Sequence, residues 1–314
     1  MSIYKKKIIC IIPVYNDWES FYILCGKLNN LSKSSNEFYL EIVVVNDCST
    51  DDYYPQILEI NTEILNLKIN IGHQRAIAVG LQYTYSEKKD YDYVVVMDGD
   101  GEDLPEQISM IYNKSKIEND KKIIFAERNK RHESYFFKVG YFFYKRLFFI
   151  LTDQKISFGN FSLIPKNLLL QVVHLNSIWN HYSGGIIQSK IPFDKIKLDR
   201  GRRYHGKSKM NFNGLMLHGL SSISIYFDFL SLRILRYSIY GVFLCLISIA
   251  IILFKKFVSG TAIPGWASSL MLITIGIVIQ LFSVTLIVLL MQLSSRRNIQ
   301  APNANIYKDF LRNQ

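Results

Sequence analysis

Apolar residues fall along this chain in two regimes. Through roughly the first two thirds they come in short runs that polar clusters interrupt. Runs rich in Ile and Val at 8–12, 40–45 and 93–97 predict strands. A shorter one is expected at 67–70 and a fifth strand at 122–126. Between them, apolar positions recur at helical spacing over 18–31, 73–85 and 105–117. Strands that alternate with helices argue for an α/β fold with a doubly wound, mostly parallel sheet. Most of these strand runs end in a polar cluster, which places the clusters on the edge where such sheets bind ligands.

The second regime begins near residue 236. No charge lies between Arg236 and Lys255, and none between Lys256 and Arg296. Either run, as a helix, can cross a hydrocarbon core about 30 Å thick. Buried core helices are the alternative, but these seldom run so far without a charge. The segment 213–235, which leads into the first run, reads as an amphipathic juxtamembrane helix. The aromatic and basic stretch 136–151 fits a helix on a membrane surface or a core helix equally well. The resulting division is a cytoplasmic catalytic domain at 1–212, the juxtamembrane helix at 213–235, a transmembrane hairpin at 236–293 and a cytoplasmic tail at 294–314.

Charge and cysteine content sharpen this picture. The 314 residues carry a net charge of +11, and the basic excess lies beside the apolar runs. That distribution suits an anionic lipid surface better than a nucleic acid. The four cysteines, Cys10, Cys25, Cys48 and Cys245, lack metal-ligand spacing and read as reduced thiols. The first residues lack the long apolar core and cleavage site of a signal peptide, so the catalytic domain is expected to stay in the cytoplasm.

The chemistry concentrates at the end of the strand 93–97. There the chain turns through Asp98-Gly99-Asp100-Gly101-Glu102-Asp103. Two carboxylates one residue apart at a strand tip can face one hard cation, which would carry a phosphorylated substrate. Helix capping before Pro105 is the plainer role for such residues. Three more polar clusters precede this one: Pro13-Val14-Tyr15-Asn16, Asn46-Asp47-Cys48-Ser49-Thr50-Asp51 and Asn70-Ile71-Gly72-His73-Gln74-Arg75. Each alone is an ordinary turn. The six histidines form no ligand pattern.

In their order, these clusters resemble the family 2 glycosyltransferases of GT-A fold, and most closely the branch that glycosylates polyprenyl phosphates. That branch contains dolichyl-phosphate mannose synthase and the bactoprenol glucosyltransferases. Its Arg-x-x-Gly-x-Ser-Lys signature is matched by Arg203-Tyr204-His205-Gly206-Lys207-Ser208-Lys209, and two C-terminal membrane helices also occur there. The chain departs from the branch at Gly101, where Leu is usual, at Glu102, where Gln is usual, and at Asn160, where an acidic residue is common.

The resemblance implies roles. Pro13, Tyr15, Asn16, Asp47, Asn70, Gly72 and Arg75 would hold the nucleotide. Asp98 and Asp100 would hold Mg²⁺ or Mn²⁺ on the diphosphate of a nucleotide-diphosphate sugar. Glu102 and Asp103 would orient the acceptor or act as a base. The acceptor would be a polyprenyl phosphate, undecaprenyl or dolichyl, whose second pKa of about 6 leaves it already anionic. Such a nucleophile needs positioning more than deprotonation. Cations should therefore line the acceptor side, Arg128, Lys138, Arg203, Lys207 and Lys209, with the Ser208 hydroxyl closing on the phosphate oxygens. The implied enzyme is inverting and sits in the cell (inner) membrane with its catalytic domain cytoplasmic. A homo-oligomer is left open, and no nucleic acid is expected.

Three other readings compete with this one. A membrane glycosyltransferase that acts on a glycan or another lipid would usually carry Gln-x-x-Arg-Trp if processive, and that motif is absent. A haloacid-dehalogenase phosphatase shares the Asp-x-Asp-Gly start, but that motif opens its domain rather than following three strands. A non-catalytic nucleotide-binding scaffold would be expected to lose an Asp or the Arg-Gly-Ser-Lys set.

Overall fold

The structure is a computed structural model that describes residues 5–51, 59–128, 146, 159–206, 226–258, 265–297 and 303–312. The chain divides into two compact units. The first holds the described residues up to 128, those at 159–206 and those at 303–312. The second holds 146 and the described residues from 226 to 297.

In the first unit a seven-stranded sheet is built from β1 (Lys6–Val14), β2 (Phe38–Asn46), β3 (Thr62–Asn66), β4 (Tyr93–Val96), β5 (Ile123–Arg128), β6 (Ser162–Pro165) and β7 (Phe193–Leu198). Their order is β3-β2-β1-β4-β6-β5-β7. All neighbours run parallel except β6, which is antiparallel to both β4 and β5. Helices α1 (Trp18–Ser34), α2 (His73–Glu87), α3 (Gln107–Ile117), α4 (Lys166–Val173) and α5 (Tyr182–Ser189) cover the sheet.

The reason for this layering is visible in β1. Ile9 and Ile11 point to one side, where they join Val43, Val94, Ala76 and Val79 of a core under α2, α4 and α5. Ile8, Cys10 and Ile12 point to the other, where they meet Phe21, Leu24, Ile108 and Ile111 of α1 and α3. A strand that is apolar at every position must be covered on both faces, and this one is.

The expected strand at 67–70 is displaced. Thr62–Asn66 forms β3, in register with Ile42 through Asn46. Residues 67–70 instead make the turn that leads to α2, with the Leu67 N–H still bonded to the Asn46 carbonyl at 3.0 Å. Thr, Glu and Asn at the sheet edge hid the strand, because an edge strand needs no continuous apolar run.

The second unit contains α6 (Phe227–Phe257) and α7 (Trp266–Arg297). α6 runs unbroken through residue 235. Its Ser231 Oγ donates to Gln292 Oε1 near the end of α7 at 2.9 Å, so the two helices pack antiparallel. Gly241 permits this closeness: a Cβ there would lie 2.9 Å from Leu281 Cδ1. Phe229–Phe257 and Ser268–Ser294 have mean hydropathies of 2.4 and 2.6 and are long enough to cross a membrane. Only 11% and 6% of their most apolar windows are buried, which separates them from the core helices of a soluble domain.

Candidate active site

The polar clusters do converge at the carboxyl ends of β1, β2 and β4. After β1, Asn16 adopts a left-handed backbone (φ 51°). Its Oδ1 accepts from the N–H groups of Thr50 (2.7 Å) and Asp51 (3.1 Å), and its own N–H donates to Ser49 Oγ (3.0 Å). The loop after β1 thus holds the loop after β2. Pro13 pairs with Val45 in the sheet register, and Tyr15 stands exposed at its rim.

Asp47 is 3% exposed. Its Oδ1 accepts from the Ile71 N–H at 2.7 Å and its Oδ2 from the Gly72 N–H at 2.9 Å, while Asn70 Nδ2 donates to the Asp47 carbonyl at 3.1 Å. Burial raises the Asp47 pKa from its ordinary value, and the two backbone donors oppose that rise. Gly72, at φ 87°, takes a conformation that a side chain would strain, and α2 begins beside it. Arg75 is exposed on the first turn of α2.

The loop after β4 carries the carboxylates. Asp98 Oδ1 lies 3.1 Å from His73 Nε2, at the first turn of α2. Partial desolvation of the His73 ring, whose side chain is 44% exposed, pulls its pKa down, but the carboxylates of Asp98, Asp100 and Asp103 outweigh this and the net shift is upward. Asn160 Nδ2 approaches the same His73 nitrogen at 3.2 Å, and Gln74 Nε2 donates to Asn160 Oδ1 at 3.4 Å. The Asn160 departure therefore abuts the carboxylate loop through a histidine. Asp103, 3% exposed, accepts the Asp98 N–H at 2.9 Å, so it braces the loop. It does not cap α3, which starts at Gln107 with no side-chain cap.

Residues 199–205 form a strap along this loop. The Gly201 N–H donates to the Glu102 carbonyl and the Tyr204 N–H to the Asp100 carbonyl, both at 2.9 Å. Arg200 pairs with Glu102. Arg203 uses its whole guanidinium: Nη1 to Asp100 Oδ2 at 3.1 Å, Nη2 to Asp17, and Nε to the His205 carbonyl at 2.9 Å. The two motif departures are matched by this strap. Glu102 answers Arg200, and Gly101 (φ 90°) lies under the Tyr204 ring, 2.4 Å from where a Cβ would be.

Of the expected acceptor cations, Arg203 reaches the carboxylates. Arg128 closes β5 in register with Leu198. Lys138, Lys207, Ser208 and Lys209 lie outside the described residues. Asp17, His73 and Tyr204 join the site without having been singled out for it. Each lies beside a motif, but its partner is far off in sequence, as Arg203 is from Asp17.

Asp98 and Asp100 supply hard oxygen donors of the kind Mg²⁺ and Mn²⁺ take. Among the described residues no group of three or more His, Cys, Asp or Glu could hold a metal ion. The set fits an ion that draws its remaining ligands from substrate phosphate and water, as Mg²⁺ commonly does.

The pattern of the family described as glycosyl transferase family 2 matches residues 9–179, more than half the chain. An uncharacterized glycosyltransferase of Synechocystis sp. is 26% identical over 289 residues, covering 88% of this chain and 87% of that protein. The uncharacterized glycosyltransferase YkcC of Bacillus subtilis is 26% identical over 290 residues, covering 87% and 85%. Among solved structures, mannosyl-3-phosphoglycerate synthase from Rubrobacter xylanophilus shares the fold, with a TM-score of 0.51, 14% identity, and coverage of 70% of this chain and 72% of that one. With the carboxylate loop where the sheet places it, the chain belongs to glycosyltransferase family 2, and it is a glycosyltransferase of GT-A fold.

Proposed function

We propose that this enzyme transfers a sugar from a nucleotide-diphosphate donor to a polyprenyl phosphate at the cytoplasmic face of a membrane, with inversion. The observation that carries the reading is the strap. A basic segment is bonded to the Asp98–Asp103 loop, with Arg203 on Asp100, where the donor diphosphate would lie. The same segment continues in sequence into Lys207, Ser208 and Lys209 and on toward α6. Such cations suit an anionic phosphate acceptor.

In this reading the loops after β1, β2 and β3 hold the nucleotide, and Asp98 and Asp100 hold the metal. When bound, that ion neutralises charge on the leaving diphosphate. Arg203 bridges Asp17 and Asp100 and so keeps a cation at the junction of donor and acceptor. The Asp103 carboxylate, fixed on the Asp98 N–H, holds the loop's shape rather than serving as an obligatory base. The acceptor oxygen is already ionised, so alignment provides most of the rate.

Purified enzyme incubated with a panel of radiolabelled nucleotide sugars, Mn²⁺ and undecaprenyl phosphate should yield one labelled lipid. NMR of the product should show the anomeric configuration opposite to the donor's. Label in a glycan or a neutral lipid, with none on the lipid phosphate, would overturn the acceptor assignment. A retained configuration would overturn inversion.

A further inference from the structure

Residues 303–312 follow the second apolar helix in the chain, yet they fold into the first unit. Their seat is built for them. Gln82 of α2 is fully buried, and its side chain bonds three backbone groups. Nε2 donates to the Val173 carbonyl at 3.0 Å and the Asn303 carbonyl at 2.8 Å, and Oε1 accepts the Tyr307 N–H at 3.2 Å. Tyr307, 1% exposed, sets its ring edge-on against Tyr83 and bonds Glu87 through its hydroxyl. Phe310 lies on Trp179 with ring centroids 5.5 Å apart. A surface tail with no role would not bury a tyrosine and consume a buried glutamine.

The last residues of the segment reach the nucleotide side. Leu311 bridges Leu67 antiparallel, and the flanking bonds are Lys68 N–H to the Phe310 carbonyl (2.8 Å) and Arg312 N–H to the Asn66 carbonyl (2.9 Å). Arg312 Nη2 lies 3.4 Å from Cys48 Sγ, which in turn lies 3.7 Å from the Lys68 carbonyl. On the opposite side of the same turn, the Leu67 N–H bonds Asn46, and Asn46 Oδ1 accepts the Ser49 N–H at 2.9 Å. Residues 66–68 are thus gripped between the tail and the loop that carries Asp47. Cys48 sits at φ 58°, a strained choice for a residue with a side chain, so this loop needs outside support.

We infer that Asn303–Arg312 is a positioning element of the donor subsite: it clamps the 66–68 turn and thereby fixes Asp47, Asn70, Ile71 and Gly72 for the nucleotide. The inference rests on the reading that this loop receives the nucleotide. One consequence follows from chain order. The donor subsite is completed only after both apolar helices have been made.

The test uses the full-length protein in detergent, with Arg312→Ala, Tyr307→Ala and a chain ended after Ala301. Hydrogen exchange is followed in peptides covering 46–49 and 66–72, with α3 as the internal control. Loss of the clamp should speed exchange in both loops by about tenfold or more and leave α3 unchanged. Calorimetry with UDP and with GDP, each with Mn²⁺, should show nucleotide affinity falling by about fivefold in Arg312→Ala, while its melting temperature stays near that of the parent. Synthetic peptide 302–314 should restore both readouts to the shortened chain. Unchanged exchange in the two loops, in variants that still fold, would overturn the inference. If the shortened chain does not fold, Arg312→Ala decides alone, since it keeps the buried tyrosine. Asp47→Asn tests the underlying reading separately. If it leaves nucleotide affinity intact, the loop is not the nucleotide site, and the exchange data still judge the clamp.

Discussion

Gly101 shows how much one residue of this site is committed. Its φ of 90° excludes ordinary side chains, and the Tyr204 ring fills the space a Cβ would need. Gly101→Ala carries both penalties, a backbone strain of about 1–3 kcal/mol and a displaced aromatic ring. Denaturant unfolding of Gly101→Ala should show that loss, and adding Tyr204→Ala should return only the steric share, because the backbone strain stays. Full recovery in the double variant would mean that φ costs nothing here. Asp100 is the chemical counterpart. Its carboxylate holds Arg203 and accepts the Glu102 N–H, and it is one of two proposed metal donors. Asp100→Asn should lower transfer by about a hundredfold or more while circular dichroism stays unchanged. Activity that survives both this substitution and a chelator would remove the metal from the mechanism. At this scale the sequence located the carboxylate loop, because Asp98 and Asp100 directly follow the apolar run that becomes β4. It was a poor guide to their partners. Nothing local says that Asp17 meets Arg203 or that Glu102 meets Arg200, since folding alone brings those residues together.

Among the elements, α2 is informative because a helix former was refused in its middle. Gly80 costs the helix about 1 kcal/mol relative to Ala. Yet a Cβ there would lie 2.5 Å from Ile11 Cγ2 and 3.0 Å from Val45 Cγ2, both in the sheet beneath. Overpacking a close-fitted core costs about 1–3 kcal/mol, so the clash outweighs the propensity gain. Gly80→Ala should therefore lower the urea midpoint with an unchanged slope, and a raised midpoint would show that α2 can lift off the sheet. The close approach matters for function, since the same helix offers His73 to Asp98 at its start and Gln82 to the tail further along. The central strands were legible because a strand covered on both faces must be apolar throughout. β3 was misplaced because an edge strand can be polar, and the antiparallel insertion of β6 left no local mark. Ser162–Pro165 is too short to announce its direction, and only its pairing with β4 and β5 sets it.

On the scale of the whole molecule, connectivity constrains topology. The chain leaves the first unit before Tyr226, runs through two apolar helices, and returns to that unit by Asn303. A segment that packs Tyr307 into the core of the first unit must lie on the same side of any membrane as that core. Two crossings satisfy this requirement and one does not, which favours a hairpin with both ends on the catalytic side. The basic residues agree. Arg233 and Arg236 precede the first apolar stretch and Arg296 and Arg297 follow the second, against Lys255 and Lys256 between them. The hydropathy pattern disclosed both helices but not the return of the tail, because a single turn with one buried tyrosine has no periodicity to read. The topology can be probed by cysteine labelling. Cys10 and Cys25 are buried and need no change, so a Cys48→Ser, Cys245→Ser background suffices. In sealed cells an impermeant maleimide should label Ser259→Cys, between the helices, and spare Lys308→Cys until the membrane is permeabilised. Lys308 is a fair reporter, since its side chain is 59% exposed although its neighbour Tyr307 is buried. Labelling of Lys308→Cys in sealed cells would place the tail, and with it the catalytic unit it is folded into, outside, and the cytoplasmic assignment would have to be abandoned.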